Sequence, residues 1–308
     1  MRLERKFNPL DYLIFEGLAG SRLYGTHDDN SDFDTRGVCL TPLDVILDPF
    51  HNFKVADSFE GEDKQIYDLG NFIRLCADNN PNILEAIFVP IEKSLFWSDA
   101  WQRIVDNRSL FLSKNVKHRF LGYAVAQLKS IMRHKEWFTN PPEKKPTRKD
   151  YGLSESPLVS EGNIQNMMSL SNDLFLPEYR DEMRRERLYR EEKKKWDNFM
   201  QWKTNRNPKR KASEEKIGYD GKMASHLFRL MSEGKELLLH GTITFPLPNA
   251  DWLRDIKNGL YTYEELLDLA SGLETSFQKW YDESPLPHKP NVNALKELYF
   301  EIMKDYSL

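Results

Sequence analysis

Two short groups of residues near the start of the chain have the types and spacing to do chemistry. Gly20 and Ser21 follow the apolar run Tyr12-Leu13-Ile14-Phe15, which reads as a strand of a buried sheet leading into a short helix. Backbone N–H groups at the start of a helix lack intrahelical partners and attract phosphate; the Ser21 hydroxyl adds a donor beside them. Asp32 and Asp34 alternate with Phe33 and run into Val38-Cys39-Leu40. In a strand, residues two apart share a face, so both carboxylates are expected to project together and Phe33 to enter the layer behind. Two close carboxylates repel and cost stability unless a cation sits between them. A donor set made only of oxygens suits Mg²⁺, which commonly joins protein carboxylates to a substrate's phosphates.

The run Gly20-Ser21-Arg22-Leu23-Tyr24-Gly25, a short loop and then Ser31-Asp32-Phe33-Asp34-Thr35-Arg36-Gly37-Val38 resembles the nucleotidyltransferases of the DNA polymerase beta superfamily. The nearest likeness is to a subgroup found in bacteria and large bacteriophages, some of it associated with RNA ligases. The resemblance implies two Mg²⁺ ions, with Mn²⁺ as the alternative, held by Asp32, Asp34 and a third acid on a neighbouring strand. Asp63 and Asp68 both match the pattern. They are five apart, so they have opposite parity and do not both face a metal from one regular strand. Asp63 is preferred, because Asp68 is also well placed to cap the helix that follows. The resemblance further implies an NTP as donor, ATP first, with Gly20 and Ser21 cradling its outer phosphates. Arg36 would either neutralise charge or orient Asp34. The acceptor is open, and an RNA end such as that of a tRNA is favoured.

Two later stretches extend the likeness. Asn80-Pro81-Asn82-Ile83-Leu84-Glu85 resembles a family signature whose plainest role is structural: Asn and Pro set a helix start and Glu85 faces its first turn. Gly218 to Leu230 resembles another. On a helix Lys222, His226 and Arg229 share one face, and three cations on one stripe suit a triphosphate. Met223, Leu227 and Leu230 point elsewhere and can pack.

These residues need elements to position them. Residues 1–95 read as a mixed α/β catalytic domain, with strands near Tyr12–Leu18, Phe33–Leu40 and Gln65–Asp68 and helical spacing from Leu69 to Cys76 and Ile83 to Phe88. Residues 96–308 read as mostly helical, so the expected class is α+β. Pro-rich, basic residues 140–148 break a helix, and 152–172 reads as a loop with one short helix. A charged arm spans about 178–211. Its first part, 178–203, mixes signs at helical spacing and reads as a solvent-exposed, salt-bridged helix. The run from Lys203 to Lys211 lacks acids, making Arg206, Lys209, Arg210 and Lys211 the best local nucleic-acid patch.

Composition sets outer bounds. The chain has 308 residues, 40% hydrophobic and 30% charged, which is globular. A net charge of -4 gives no strong overall attraction to nucleic acid, so local patches decide. Cys39 and Cys76 lie in apolar contexts without a C-x-x-C pair, as expected of reduced thiols in the cytoplasm of a bacterial or phage-infected cell. Met1 to Lys6 leads into no long apolar segment, so no signal peptide is expected. No apolar run reaches the roughly 20 residues of a membrane helix, so no membrane partner is expected. Seven histidines without an H-E-x-x-H pattern or a Cys/His cluster offer no zinc site. The function expected from all this is Mg²⁺-dependent transfer of a nucleoside monophosphate to a hydroxyl. The alternatives are a non-catalytic nucleotide or nucleic-acid sensor of the same fold, and a structural partner docking through its charged helix. Intact Asp32 and Asp34 favour the enzyme.

Overall fold

The first apolar run forms strand β1 (Leu13–Leu18), and β2 (Thr35–Cys39) returns antiparallel to it. Strand β4 (Glu62–Asp68) lies parallel to β2. Strand β3 (Val55–Phe59) pairs antiparallel with β4 at one edge, and β5 (Ser94–Trp97) with β1 at the other. The order β3-β4-β2-β1-β5 is a mixed sheet, and the rest of the chain is mostly helical, so the class is α+β as expected. This computed structural model describes residues 7–50, 53–59, 62–157 and 177–306. The readings made for Met1 to Lys6, and for 158–172 of the Ser- and Asn-rich loop, fall outside them.

The chain forms two compact units, residues 1–131 with 220–308, and residues 132–219. The boundary expected near residue 95 falls inside the first. The first unit holds the sheet with α1 (Gly20–Tyr24), α2 (Leu43–Ile46), α3 (Leu69–Ala77), α4 (Pro81–Leu84) and α5 (Asp99–Asp106). Helix α6 (Asn115–Thr139) starts in it and ends in the second unit. The second unit adds α7 (Pro177–Asn205) and α8 (Pro208–Ile217). The chain then re-enters the first unit with α9 (Gly221–His240), α10 (Ala250–Asn258), α11 (Tyr263–Glu283) and α12 (Val292–Tyr306).

In the first unit Phe15 of β1 stacks on Trp101 of α5, ring centroids 4.1 Å apart, and Phe72 of α3 lies 5.3 Å from Trp101. All three are fully buried. Burying each such side chain is worth about 1.5–3 kcal/mol, which clamps the helices to the sheet. Helix α3 starts where Asp68 accepts a hydrogen bond from the Asn71 amide at 3.0 Å, and buries Leu69, Phe72, Ile73 and Cys76 on one face. Asn80 caps α4, with Pro81 in its first turn, and the chain continues directly into a 3-10 turn, Glu85–Phe88.

The second unit packs Trp137 against Phe199 and Trp202. Its long helix carries a buried acid: Glu186 accepts from both Nη atoms of Arg148, at 2.9 and 2.7 Å, and from Arg190 Nε at 2.8 Å. Glu186 with Arg148 and Arg190 thus organises the unit, while Arg187–Glu191 and Lys195–Glu192 are exposed ion pairs along the helix, as its mixed charge pattern predicts. The nucleic-acid patch needs a correction here. Arg206 folds back to pair with Glu214 and lies 4.5 Å over the Trp202 ring, its side chain 9% exposed. Residues 208–217 are helical, and Glu214 and Glu215 supply the acids that the run 203–211 lacks. Arg210 and Lys211 are exposed, Lys211 facing Glu215 at 3.9 Å. The Lys209 side chain lies outside the described residues.

Candidate active site

The candidate site belongs wholly to the first unit and is built around α1. This helix follows β1 with Ala19 as its N-cap, a residue with no side chain to bond the first-turn N–H groups. Gly25, at φ +80, closes the other end, its N–H donating to the Ser21 carbonyl. Gly20 is also left-handed, at φ +61, and a Cβ placed on it would overlap Oδ2 of Asp34. The Asp34 carboxylate thus stands directly against the Gly20-Ser21 turn. The Ala19 amide donates to the Asp34 carbonyl at 2.9 Å, extending the β1–β2 pairing up to this point. Gly20→Ala is expected to cost about 1–2 kcal/mol from backbone conformation alone and to push Asp34 aside. Chemical denaturation measures the first effect and any nucleotide-dependent activity the second.

Asp32 is exposed and lies in the loop just before β2. Arg22 of α1 holds that loop, donating from Nη2 to the Ser31 carbonyl at 3.0 Å and from Nε to the Asp32 carbonyl at 3.2 Å. Lys257 of α10 pairs with Asp28 at 3.0 Å and ties the loop from its other side. Phe33 departs from expectation. It is 50% exposed, with the Arg22 guanidinium 5.6 Å from its ring, because the regular strand begins only at Thr35.

The register of β2 and β4 sorts the two candidate third acids. Thr35 lies beside Lys64, Val38 beside Tyr67 and Cys39 beside Asp68. One step before Thr35, the same register brings Asp34 beside Asp63. Alternation then puts Asp34, Arg36, Asp63 and Gln65 on one face and Asp68 with Cys39 on the other. The electrostatics agree. Burial raises the Asp34 pKa, and the negative charges of Asp63 and Asp32 raise it further against the opposing pull of Lys222 and Arg36. Burial and then the Asp68 charge raise the Cys39 thiol instead, and the Asp68 carboxylate is the α3 cap. Asp63 is exposed. Arg36 is half-buried on the Asp34 face, and its Nε has no hydrogen-bond partner among the described residues.

Helix α9 brings the cations. Asp220 caps it, accepting from the Met223 amide at 2.9 Å. Lys222, in its first turn, is exposed and its charge bears on Asp34. Arg229 is placed differently from expectation: it is 3% exposed and forms ion pairs with Glu85 and with Glu233, the latter at 2.9 Å. Its guanidinium lies 4.4 Å over the Tyr24 ring, and Tyr24 Oη donates to Glu85 Oε2 at 2.7 Å. Two carboxylates and a ring enclose it, so Arg229 is the centre of a buried cluster and not a free phosphate donor. His226 is half-buried, its Nδ1 3.0 Å from Arg229 Nη2. Burial, Arg229 and Lys222 together lower its pKa to about 3.

Sequence reading missed Tyr24 and Glu233. Glu233 carried a signal, a glutamate four residues after Arg229 on a helix that also buries Leu230 and Leu237. Tyr24 carried none, since its partners are 61 and 205 residues away in the chain.

The mixed sheet thus carries Asp63 on β4, with Asp32 and Asp34 just before β2 and the glycine–serine turn against Asp34. Residues 2–147 match the RlaP family, described as an RNA repair pathway DNA polymerase beta family. An Enterobacteria phage T4 protein, called an uncharacterized 38.9 kDa protein in the nrdC-mobD intergenic region, is 30% identical over 125 residues. That alignment covers 37% of this chain and 37% of the phage protein. No solved structure matches.

Proposed function

We propose that the protein transfers a nucleoside monophosphate from an NTP to an acceptor hydroxyl, using Mg²⁺, in the cytoplasm of a bacterial or phage-infected cell. One observation carries the reading: the β2–β4 register, carried one residue back from Thr35, brings Asp63 beside Asp34, whose pKa burial and then the Asp63 charge raise, with Gly20 directly opposite. The donor set fits the metal. Three carboxylates crowd together, Asp34 is held above its ordinary pKa by burial and by the other two, and every donor is oxygen. Asp32, Asp34 and Asp63 would hold two such ions. Mg²⁺, when bound, makes an acceptor hydroxyl more acidic and neutralises charge on the triphosphate.

The chain's own groups do the positioning. The α1 amides at Gly20 and Ser21, with the Ser21 hydroxyl, bind the outer phosphates. Arg36 and Lys222, whose charges both act on Asp34, draw the nucleotide to the acids. Little covalent chemistry falls to the protein, and holding phosphate and hydroxyl in line accounts for the rate. The family's RNA repair description supports an RNA end, such as a tRNA end, as acceptor, and ATP is the first donor to try.

The test is incubation with each labelled NTP, Mg²⁺ and bulk tRNA, other RNA or protein. Label transfer that stops on chelation supports the reading. RNA binding without transfer, unchanged in Asp32→Ala and Asp34→Ala, supports the sensor instead. In the same assay Asp63→Asn is expected to abolish transfer. Asp68→Ala is expected to retain it and lose about 1 kcal/mol of stability, the value of a helix cap. The reverse pattern would move the third acid to Asp68.

A further inference from the structure

We infer that His226 binds the nucleotide as a neutral donor, its ring fixed by Arg229 so that Nε2–H is the atom offered to a phosphate oxygen. The inference rests on the transferase reading and goes beyond it. A guanidinium has hydrogens to give and no lone pair to accept with, so at 3.0 Å from Arg229 Nη2 the His226 Nδ1 must be the acceptor. A neutral ring then carries its proton on Nε2, which makes no hydrogen bond among the described residues.

Arg229 is itself immobilised. Glu85 from the 3-10 turn and Glu233 one turn along α9 take its Nη1, and the Tyr24 ring of α1 lies against its plane. The ring is therefore set by a buried framework in which three segments meet: the glycine–serine helix, the Asn80-to-Glu85 signature and the Gly218-to-Leu230 signature. Lys222 links the ring to the acids electrostatically. It lies four residues before His226, on the same helix face, and its charge acts on both His226 and Asp34.

The charged groups around the ring are Lys222 and Arg229, both positive, on its own helix. Glu85 and Tyr24, from the two packed elements, reach Arg229. With two cations as nearest neighbours, a third charge on the ring is disfavoured. The stripe that reads in sequence as three cations thus becomes one exposed lysine, one neutral donor and one buried strut.

The experiment measures binding of each non-hydrolysable NTP with Mg²⁺ by calorimetry, and the state of the ring by ¹⁵N NMR at about pH 6, just below the ordinary histidine pKa. His226→Asn keeps an oxygen for Arg229 and removes the Nε2 donor. It is expected to bind about fivefold to tenfold more weakly than the parent, the value of one hydrogen bond, with the same melting temperature. The parent ring is expected to be neutral and protonated on Nε2. Equal affinity in His226→Asn, an imidazolium at that pH, or a proton on Nδ1 would each overturn the inference while leaving the transferase standing. Failure of the parent protein to bind any NTP would overturn both.

Discussion

Asp34→Ala is expected to lower nucleotidyl transfer by about a thousandfold or more while the fold survives. Electrostatic stabilisation by bound metal is worth several kcal/mol, and each 1.36 kcal/mol is about tenfold in rate. Asp34 is the best placed of the three acids to lose that much. It faces Gly20 directly and feels both other carboxylates. Removing it also relieves repulsion among three acids gathered without a metal, so the metal-free melting temperature is expected to hold or rise. Asp34→Asn should behave alike in rate, because a neutral amide is a poor ligand for a hard cation. Transfer within tenfold of the parent, measured with saturating Mg²⁺, would remove Asp34 from the site.

The second large effect concerns folding. Arg229→Met is expected to cost about 3–5 kcal/mol in urea denaturation, since it leaves buried carboxylates without their countercharge. Glu85 and Glu233 are both completely buried, and both hold the same Nη1. Adding Glu233→Gln to Arg229→Met should recover part of the loss, a coupling that a double-mutant cycle reads directly. The pH dependence has a definite sign. Burial pushes Glu233 above its ordinary value of 4.5, and Arg229 opposes that push. A carboxyl raised in the folded state binds more protons there than in the unfolded chain. Its contribution is therefore fully present below the ordinary value and is lost as pH rises toward the folded one. Without Arg229 the folded pKa rises further while the unfolded value is shared, so the deficit of Arg229→Met should grow as pH rises through the parent's folded value of about 8. A variant as stable as the parent at every pH would show that the cluster carries no weight.

The two variants separate the roles of one constellation. Asp34 acts at the exposed end, where α1 begins and charge gathers. Arg229 acts at the buried end, where Tyr24, the last residue of α1, is held by the 3-10 turn and α9. Loss of the first should leave a folded, inactive protein. Loss of the second should weaken the whole first unit, and any loss of activity should follow the loss of structure.

Local spacing determined a good deal by itself. The glycine–serine turn after an apolar strand, the pair Asp32 and Asp34, the caps at Asp68 and Asn80 and the helix carrying Lys222 are all set by residues a few positions apart, where turn chemistry and strand or helix period act. Opposite parity alone also separated Asp63 from Asp68. Asp63 was preferred only because Asp68 could serve as a cap; which of the two lies beside Asp34 depends on the β2–β4 register between strands that are not adjacent in sequence. Arg229 and Lys222 stand on one helical face, and period made them equals. They differ because Glu85 and Tyr24, brought from the other end of the chain, enclose one and leave the other in solvent. Arg206 was taken from its patch in the same way by Glu214 and Trp202. Spacing along a chain decides which side chains share a face; whether that face meets water, a carboxylate or a ring is decided by segments that only the folded chain brings near.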